Sequence, residues 1–311
     1  ATATDDVTVT ITGSNDAPTI SSGIADFGFT EAADATAQDL TSSGTLSFSD
    51  IDTSDVIDVT SAVQAEAVWS GGELDGELKA ALEAGFAISG SDEAAPGSVN
   101  WSYTVNDASL DFLAAGETIT LSYRVTVTDN NGATATDDVT VTITGSNDAP
   151  IAIADTGTAR EASGIENAIA GFDATGYVLS NDTDVDTTDT KQVITVDPVT
   201  GNGDATILDN GTLTIAGAYG TLHMQADGSY TYEVDEDHAA VEALRLQTDT
   251  LQDVFSYTIQ DSQGAEASST LTITIQGAND TPTLVRISNL SITELTSATP
   301  NTTEAVTIGA L

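Results

Sequence analysis

Ala133–Pro150 reads ATATDDVTVTITGSNDAP, and Ala1–Pro18 reads the same eighteen residues without a change. A looser copy, ASSTLTITIQGANDTP, spans Ala267–Pro282. Val139, Val141 and Ile143 alternate with Thr140, Thr142 and Thr144. A period of two in β-branched residues is the mark of a half-buried strand. Gly145 ends it. The Pro of Asn-Asp-Ala-Pro holds the residue before it extended and offers no donor to a ladder. Each copy therefore reads as the last strand of one domain, a short stiff linker and the approach to the next. Asn15, Asn147 and Asn279 stand 132 residues apart, pair by pair, which makes the chain an array of similar units. The expected division is residues 1–14 as the last strand of a preceding repeat, 15–146 and 147–278 as two full repeats, and 279–311 as the start of another. Ala1–Thr12 is thus expected to be a strand, and the chain a window on a longer tandem protein.

The charge balance is extreme, with 49 Asp and Glu against 6 Lys and Arg, a formal net charge of −43. Such a chain repels nucleic-acid phosphates and anionic membranes. It also repels itself unless cations compensate it. Cysteine is absent, which removes disulfides, thiolate metal sites and cysteine nucleophiles. No apolar run approaches membrane-spanning length, so this segment is not expected to insert directly into a membrane.

In the first repeat the pattern predicts strands at Thr19–Thr30, Gly44–Ser49, Val56–Val68, Phe86–Ser89, Ser98–Val105 and Thr118–Thr128. Leu74, Leu78 and Leu82 are spaced by four and predict a short amphipathic helix. Leu110–Ala115 reads as one helical turn. Asp129-Asn130-Asn131-Gly132 has hairpin chemistry. The second repeat reads as strands at Val193–Val199, Thr212–Ile215, Gly220–Gln225 and Ser229–Val234, hairpin turns at Asp209-Asn210-Gly211 and Ala226-Asp227-Gly228, and a helix at His238–Leu246. Many short strands closing on a long final hairpin predict an all-β antiparallel β-sandwich, used in tandem, with short helical insertions.

The phrases YGTLHMQADGSYTYEV, VEALRLQTDTLQDVFSYTIQDSQGA and LTITIQGANDTP resemble the VCBS repeat, as do LDFLAAGETITLSYRVTVTDNNGATA and VTVTITGSNDAP in the first unit. The resemblance covers nearly the whole chain. It implies cadherin-like or immunoglobulin-like sandwiches in a very large bacterial surface protein of the repeats-in-toxin adhesin type, exported by type I secretion. It also implies cell adhesion, biofilm formation and calcium. The glycine-rich GGxGxDxUx nonapeptide of such proteins' C-terminal ends is missing, as expected of an extension region.

The acidic clusters have a geometric logic of their own. In a sandwich whose strands alternate down and up, a second strand ending at Ser49 delivers Asp50 and Asp52 to the pole that also receives Asn15, Asp16 and the Asp129 hairpin. The same argument gathers Asn147, Asp148, Asp182, Asp184 and Asp261 at the next junction. Glu31, at the far end of the first strand, could reach that junction, and Glu161 the one marked by Asn279 and Asp280. Two carboxylates about 5 Å apart repel by about 3 kcal/mol at an effective dielectric near 20. Calcium suits such a place, because it takes roughly 6–8 oxygens in irregular cages. Zinc and copper want His or Cys, which these clusters lack. Asp186 and Asp189 extend the second cluster, either as ligands or as solvated loop residues. In the 132-residue frame Ser54 and Ile57 replace them in the first repeat, so its site is expected to be weaker. The alternative for all these groups is turn capping, which Asp and Asn favour.

Function is expected to follow from the junctions: calcium-rigidified spacer repeats of a secreted bacterial cell-surface adhesin, each partnered by its neighbours in the chain. Distal domains would reach other cells, glycans or surfaces. The competing expectation is a module that itself binds a glycan or protein, or a surface-layer subunit. No nucleophile elbow, phosphate loop or dinucleotide fingerprint is present, so no catalytic residues are expected. His223 and His238 read as structural, and Trp69 and Trp101 as core or lone surface residues rather than a sugar platform.

Overall fold

A computed structural model describes residues 1–281, apart from 34–38, 91–92, 165–166, 200–205 and 208–210. The expected opening of a further repeat after residue 282, and most of the Asp209 turn, lie outside the described residues.

The first repeat runs through β1 (Thr19–Ser22), β2 (Phe27–Thr30), β3 (Asp39–Ser49), β4 (Val56–Trp69), helix α1 (Gly76–Ala84), β5 (Phe86–Ser89), β6 (Glu93–Ala94), β7 (Gly97–Asn106), β8 (Thr118–Asp129) and β9 (Thr134–Thr144). Its two sheets have the orders β1-β3-β7-β5 and β2-β9-β8-β4-β6. The second repeat runs through β10 (Asp155–Arg160), β11 (Ala174–Tyr177), β12 (Gln192–Pro198), β13 (Thr206–Ile207), β14 (Leu213–Ala216), β15 (Gly220–Met224), β16 (Ser229–Val234), β17 (Thr250–Gln260) and β18 (Glu266–Gln276). Its sheets are β10-β18-β17-β12 and β11-β16-β15-β14-β13. The chain is an all-β pair of sandwiches, with one α-helix among the described residues.

The inward residues explain the pairing. Ile119, Leu121, Tyr123, Val125 and Val127 of β8 are all buried, as are Val139, Val141 and Ile143 of β9. They face Leu46, Phe48, Val99 and Tyr103 of the other sheet in one core. In the second repeat Phe255, Tyr257, Ile259, Leu271, Ile273 and Ile275 meet Leu222, Met224 and Tyr232. Trp101 lies in the first core, stacked on Phe27 and Phe86. The helix is capped by Asp75, whose carboxylate accepts from Glu77 N and Leu78 N at 2.9 and 3.3 Å. Its last turn is tied to the core through Leu82 O, which accepts from the Tyr103 and Tyr123 hydroxyls at 3.3 and 2.7 Å.

Four sequence expectations change. The first strand is two strands: β1 pairs antiparallel with β3, then the chain crosses at Gly23–Ile24 and β2 pairs parallel with β9 in the opposite sheet. The crossing is pinned by Asp137, whose Oδ2 accepts from Ile24 N at 2.7 Å. The helical turn expected at 110–115 begins earlier, as a 3-10 turn at Asp107–Ser109. His238–Leu246 is a run of turns rather than a helix. Val241 N and Leu244 N reach back three residues to His238 O and Val241 O, and the Asp249 carboxylate takes Arg245 N and Leu246 N. Finally, Ala1–Thr12 carries no strand: Val7, Val9 and Ile11 are 84%, 77% and 90% exposed. No neighbouring strand among the described residues takes its backbone groups, and a strand is held by partners.

The linker of the second repeat is seated on the first. Gly145 N donates to Glu117 O at 2.9 Å, and Gly116 N to Gly145 O at 3.2 Å. A side chain at Gly145 would fall 2.2 Å from Leu113 O, so the close approach needs glycine. The same device recurs at Gly277, whose N–H donates to Asp249 O at 2.9 Å.

Candidate metal centres

The first centre lies at the pole of the first repeat where β3, the turn before β4 and the β8–β9 hairpin meet. One oxygen from each of Asp50, Asp55 and Asp129 lies within 4.8 Å of the others, and all three residues are buried. Asp129 is shaped by its turn. Oδ1 accepts from Asn131 N and Ala133 N at 2.9 and 2.8 Å, while Oδ2 accepts from Asn15 Nδ2 at 2.9 Å. The Asn15 bond, followed by the backbone donors, holds the Asp129 carboxyl below its usual range. Asp52 Oδ2 accepts from Asp16 N at 2.8 Å, and Asp50 Oδ1 from Asp52 N at 3.0 Å. Asp50 Oδ2 is buried without a hydrogen-bond partner. The five positions Asn15, Asp16, Asp50, Asp52 and Asp129 are therefore brought together, joined by Asp55 and by Asn131, whose Nδ2 donates to Asp55 Oδ2 at 3.1 Å.

The second centre lies at the seam between the repeats. Asn147 Nδ2 donates to Asp261 Oδ2 at 2.9 Å, and Asp148 N to Asp186 Oδ2 at 2.9 Å. Asp184 Oδ1 accepts from Asp186 N at 3.1 Å, and Asp189 N donates to Asp186 O at 3.0 Å. From the first repeat comes Glu31, only 1% exposed, whose Oε2 accepts from Ser146 N at 2.8 Å. Burial pushes the Glu31 carboxyl up, and the Asp148 and Asp107 carboxylates push it further. Asp186 is pushed up to about 6, by burial first and then by Asp148, Asp184 and Asp189. Five buried oxygens here have no hydrogen-bond partner: Glu31 Oε1, Asn147 Oδ1, Asp184 Oδ2, Asp186 Oδ1 and Asp189 Oδ2.

Matching the two centres bond by bond shifts the frame. Asp16 N meets Asp52, whereas Asp148 N meets Asp186. Asp52 N meets Asp50, whereas Asp186 N meets Asp184. The counterparts of Asp50, Asp52 and Asp55 are thus Asp184, Asp186 and Asp189, two places beyond the 132-residue register. The two extra residues lie upstream, between Asp148 and Asp184, a span of 36 positions against 34 between Asp16 and Asp50. The first repeat therefore keeps the full acidic set, with Asp55 in the role of Asp189. Asp182 is placed differently: its Oδ1 accepts from Ile153 N at 2.7 Å, near Asp155, at the entry to β10.

The third centre shows one wall. Glu161 Oε1 accepts from Ala278 N at 2.6 Å, and its carboxyl is pushed up to about 7 by burial and then by Asp280, Glu236 and Glu242. Asp280 Oδ1 is buried without a partner. Asn279 stays exposed and donates to Asp280 O at 3.2 Å. Glu236 joins this wall through Ala162 N, at 3.0 and 2.9 Å. Neither Glu236 nor Asp107 carries a sequence signal, since each reaches its seam only through the fold.

Residues 147–277 match the family model described as bacterial cadherin-like domain. A comparison with curated protein sequences finds no match. Among solved structures, human mucin-like protocadherin EC1-2 is 15% identical with a TM-score of 0.38, the match covering 84% of this chain and 98% of that one. Mouse cadherin-23 EC22-24 is 14% identical with a TM-score of 0.37, covering 85% and 65%. AggA, the major subunit of aggregative adherence fimbriae type I from Escherichia coli, is 13% identical with a TM-score of 0.28, covering 42% and 97%.

At the first pole, where one oxygen from each of Asp50, Asp55 and Asp129 lies within 4.8 Å of the others, the residues present fit a hard divalent cation. Every donor is a carboxylate, an amide oxygen or a backbone carbonyl, without His or Cys. Among the described residues the ion pairs join Lys79 to Glu66, Arg124 to Asp138 and His223 to Glu233, and none reaches a seam; Lys191 acts on Asp184 through its field, without an ion pair. Buried oxygens without a donor are costly, and a cation is the partner that suits several at once. No helix among the described residues is long and apolar enough to cross a membrane.

Proposed function

We propose that this chain is a length of calcium-stiffened spacer from a bacterial cell-surface adhesin, built of VCBS-type repeats at residues 15–146 and 147–278. One observation carries the reading: five partnerless buried oxygens at the central seam, drawn from both repeats. Glu31 belongs to one sandwich; Asp184, Asp186 and Asp189 belong to the other. A cation held between Glu31 and these groups ties two bodies together and quenches their mutual repulsion. Asn15, Asp16, Asp50, Asp52, Asp55 and Asp129 would hold calcium at the first pole. Asn147, Asp148, Asp261 and the three loop carboxylates, with Glu31, would hold it at the seam. Glu161, Asp280 and Glu236 supply the corresponding wall at the next junction.

A stiffened array holds a distal binding domain away from the cell, and the extracellular calcium level sets its stiffness. The repeats-in-toxin context, type I export and a role in biofilms belong to the same reading and follow the VCBS resemblance. Calorimetric titration with calcium, paired with X-ray scattering in calcium and in chelator, tests it. Binding with a narrower interdomain distance distribution in calcium is the expected result. Identical scattering profiles in the two buffers would overturn the mechanical role.

A further inference from the structure

We infer that the Trp69–Phe112 edge of the first repeat, with Glu117, forms a docking surface for the Asp186–Asp189 turn of the second, a metal-independent clamp that presets the central seam. Glu117 is shared across the seam. Its Oε2 accepts from Trp69 Nε1 at 2.9 Å, and its Oε1 accepts from Thr188 Oγ1 of the second repeat at 2.9 Å. Thr187 N donates to Phe112 O at 3.4 Å. Phe112 is held edge-on against Trp69, ring centroids 4.9 Å apart. Trp69, Leu74, Leu78, Phe112 and Thr187 line one cleft of about 190 Å³. Gly71 permits the arrangement, because a side chain there would fall 2.5 Å from Glu117 Oε1 and 2.6 Å from Trp69 Cζ2.

Thr187 and Thr188 lie between Asp186 and Asp189, so the clamp grips the turn that carries the acidic oxygens. A turn held before the cation arrives loses less freedom on binding. Among the described residues the device is seen at this seam. At the foot of the second repeat Asp249 occupies the place of Glu117, its backbone oxygen likewise taking the linker glycine. Its carboxylate is turned back onto Arg245 N and Leu246 N, both at 3.2 Å.

The test uses the 311-residue chain carrying Thr188→Val or Glu117→Leu. Neither residue lies in a hydrophobic core, and an aliphatic side chain at 117 offers neither Trp69 Nε1 nor Thr188 Oγ1 a partner. In chelator each variant should broaden the interdomain distance distribution in scattering, and the double variant should broaden it no further. The Trp69 indole N–H resonance, assigned with Trp69→Phe, should move in Thr188→Val. Calcium affinity at the seam should fall about fivefold, the reduction expected when the competent turn is one state among several; this last effect alone rests on the calcium reading. Unchanged scattering in chelator for both variants would overturn the clamp. A chain that binds no calcium but loosens on Thr188→Val would overturn the spacer mechanism and leave the clamp standing.

Discussion

Ala1–Gly13 and Ala133–Gly145 are the same thirteen residues, and they have different structures. In the second copy Thr134–Thr144 is a strand between β8 and β2, with Val139, Val141 and Ile143 buried at 1% exposure or less. In the first copy no residue is in a strand, and the matching Val7, Val9 and Ile11 stand in solvent. Asp137 closes the β1–β2 crossing through Ile24 N. Gly145 is packed against Leu113 O, whereas a side chain at Gly13 would meet nothing within 4 Å. Alternation of Val and Thr states which face a strand buries if it is paired. It does not supply the pairing.

The comparison can be broken by matched substitutions. The largest effect belongs to Val141→Asp against Val9→Asp. A carboxylate buried between β8 and β2 should cost about 3–5 kcal/mol and unfold the first repeat. The same change at Val9 should stay within about 0.5 kcal/mol. Urea denaturation followed by Trp fluorescence reads both, because Trp69 and Trp101 lie in that repeat. Equal costs would show that the first copy is paired in solution. Next in size is Gly145→Ala against Gly13→Ala. Forcing a methyl against Leu113 O should cost about 1–3 kcal/mol, read as a lower urea midpoint, with no change for Gly13→Ala.

The linkers that follow the two copies sharpen the same contrast. Ser146 N and the Asp148 carboxylate face Glu31 of the first repeat, while Asn15 and Asp16 face only their own repeat among the described residues. Glu31→Gln should therefore weaken calcium at the seam about tenfold, or about 1.4 kcal/mol, and leave the first centre unaltered in calorimetry. Equal losses at both sites would place Glu31 outside the cation's reach.

The smallest effect is the pH slope of the metal-free protein. Asp186 is raised to about 6 and Glu161 to about 7, so between their ordinary values and these the folded chain binds more protons than the unfolded one. Stability then falls as pH rises through that window. Asp129, held low, acts in the opposite sense, its stabilisation being lost as pH drops through the acid range. In chelator the melting temperature should decline from about pH 5 to about pH 7.5, and calcium should flatten the slope by binding the ionised carboxylates. A melting curve in chelator that rises over this range would contradict the burial of these groups.

Much of the fold is legible in the chain itself. The period of two in Ile119–Val127, the Asp129-Asn130-Asn131-Gly132 turn with Gly132 at φ +91°, and the Leu78/Leu82 spacing behind the Asp75 cap, with Leu74 just ahead of the helix, each specify a local element. What local pattern misses is where a chain changes partner. Phe27 and Phe29 continue the alternation of Thr19–Ser22, and nothing between them announces that they belong to the opposite sheet. His238–Leu246 has helical composition, but Asp249 captures its last N–H groups. The centres show the same division. Counting 132 residues placed Asp182 at the seam, whereas the hydrogen bonds select Asp184, Asp186 and Asp189 and send Asp182 to Ile153. Register along a loop is set by what the loop docks on.

The amino-acid order alone determined the repeat, the half-buried strands and the gathering of acid next to each Asn-Asp linker, because these depend on period and composition. Tertiary structure alone decided which of two identical segments is a strand, which of four aspartates in one loop face the linker, and that Glu31 and Glu117 reach across to the neighbouring repeat. Those outcomes depend on hydrogen bonds and burial between residues far apart in the chain, which no local pattern encodes.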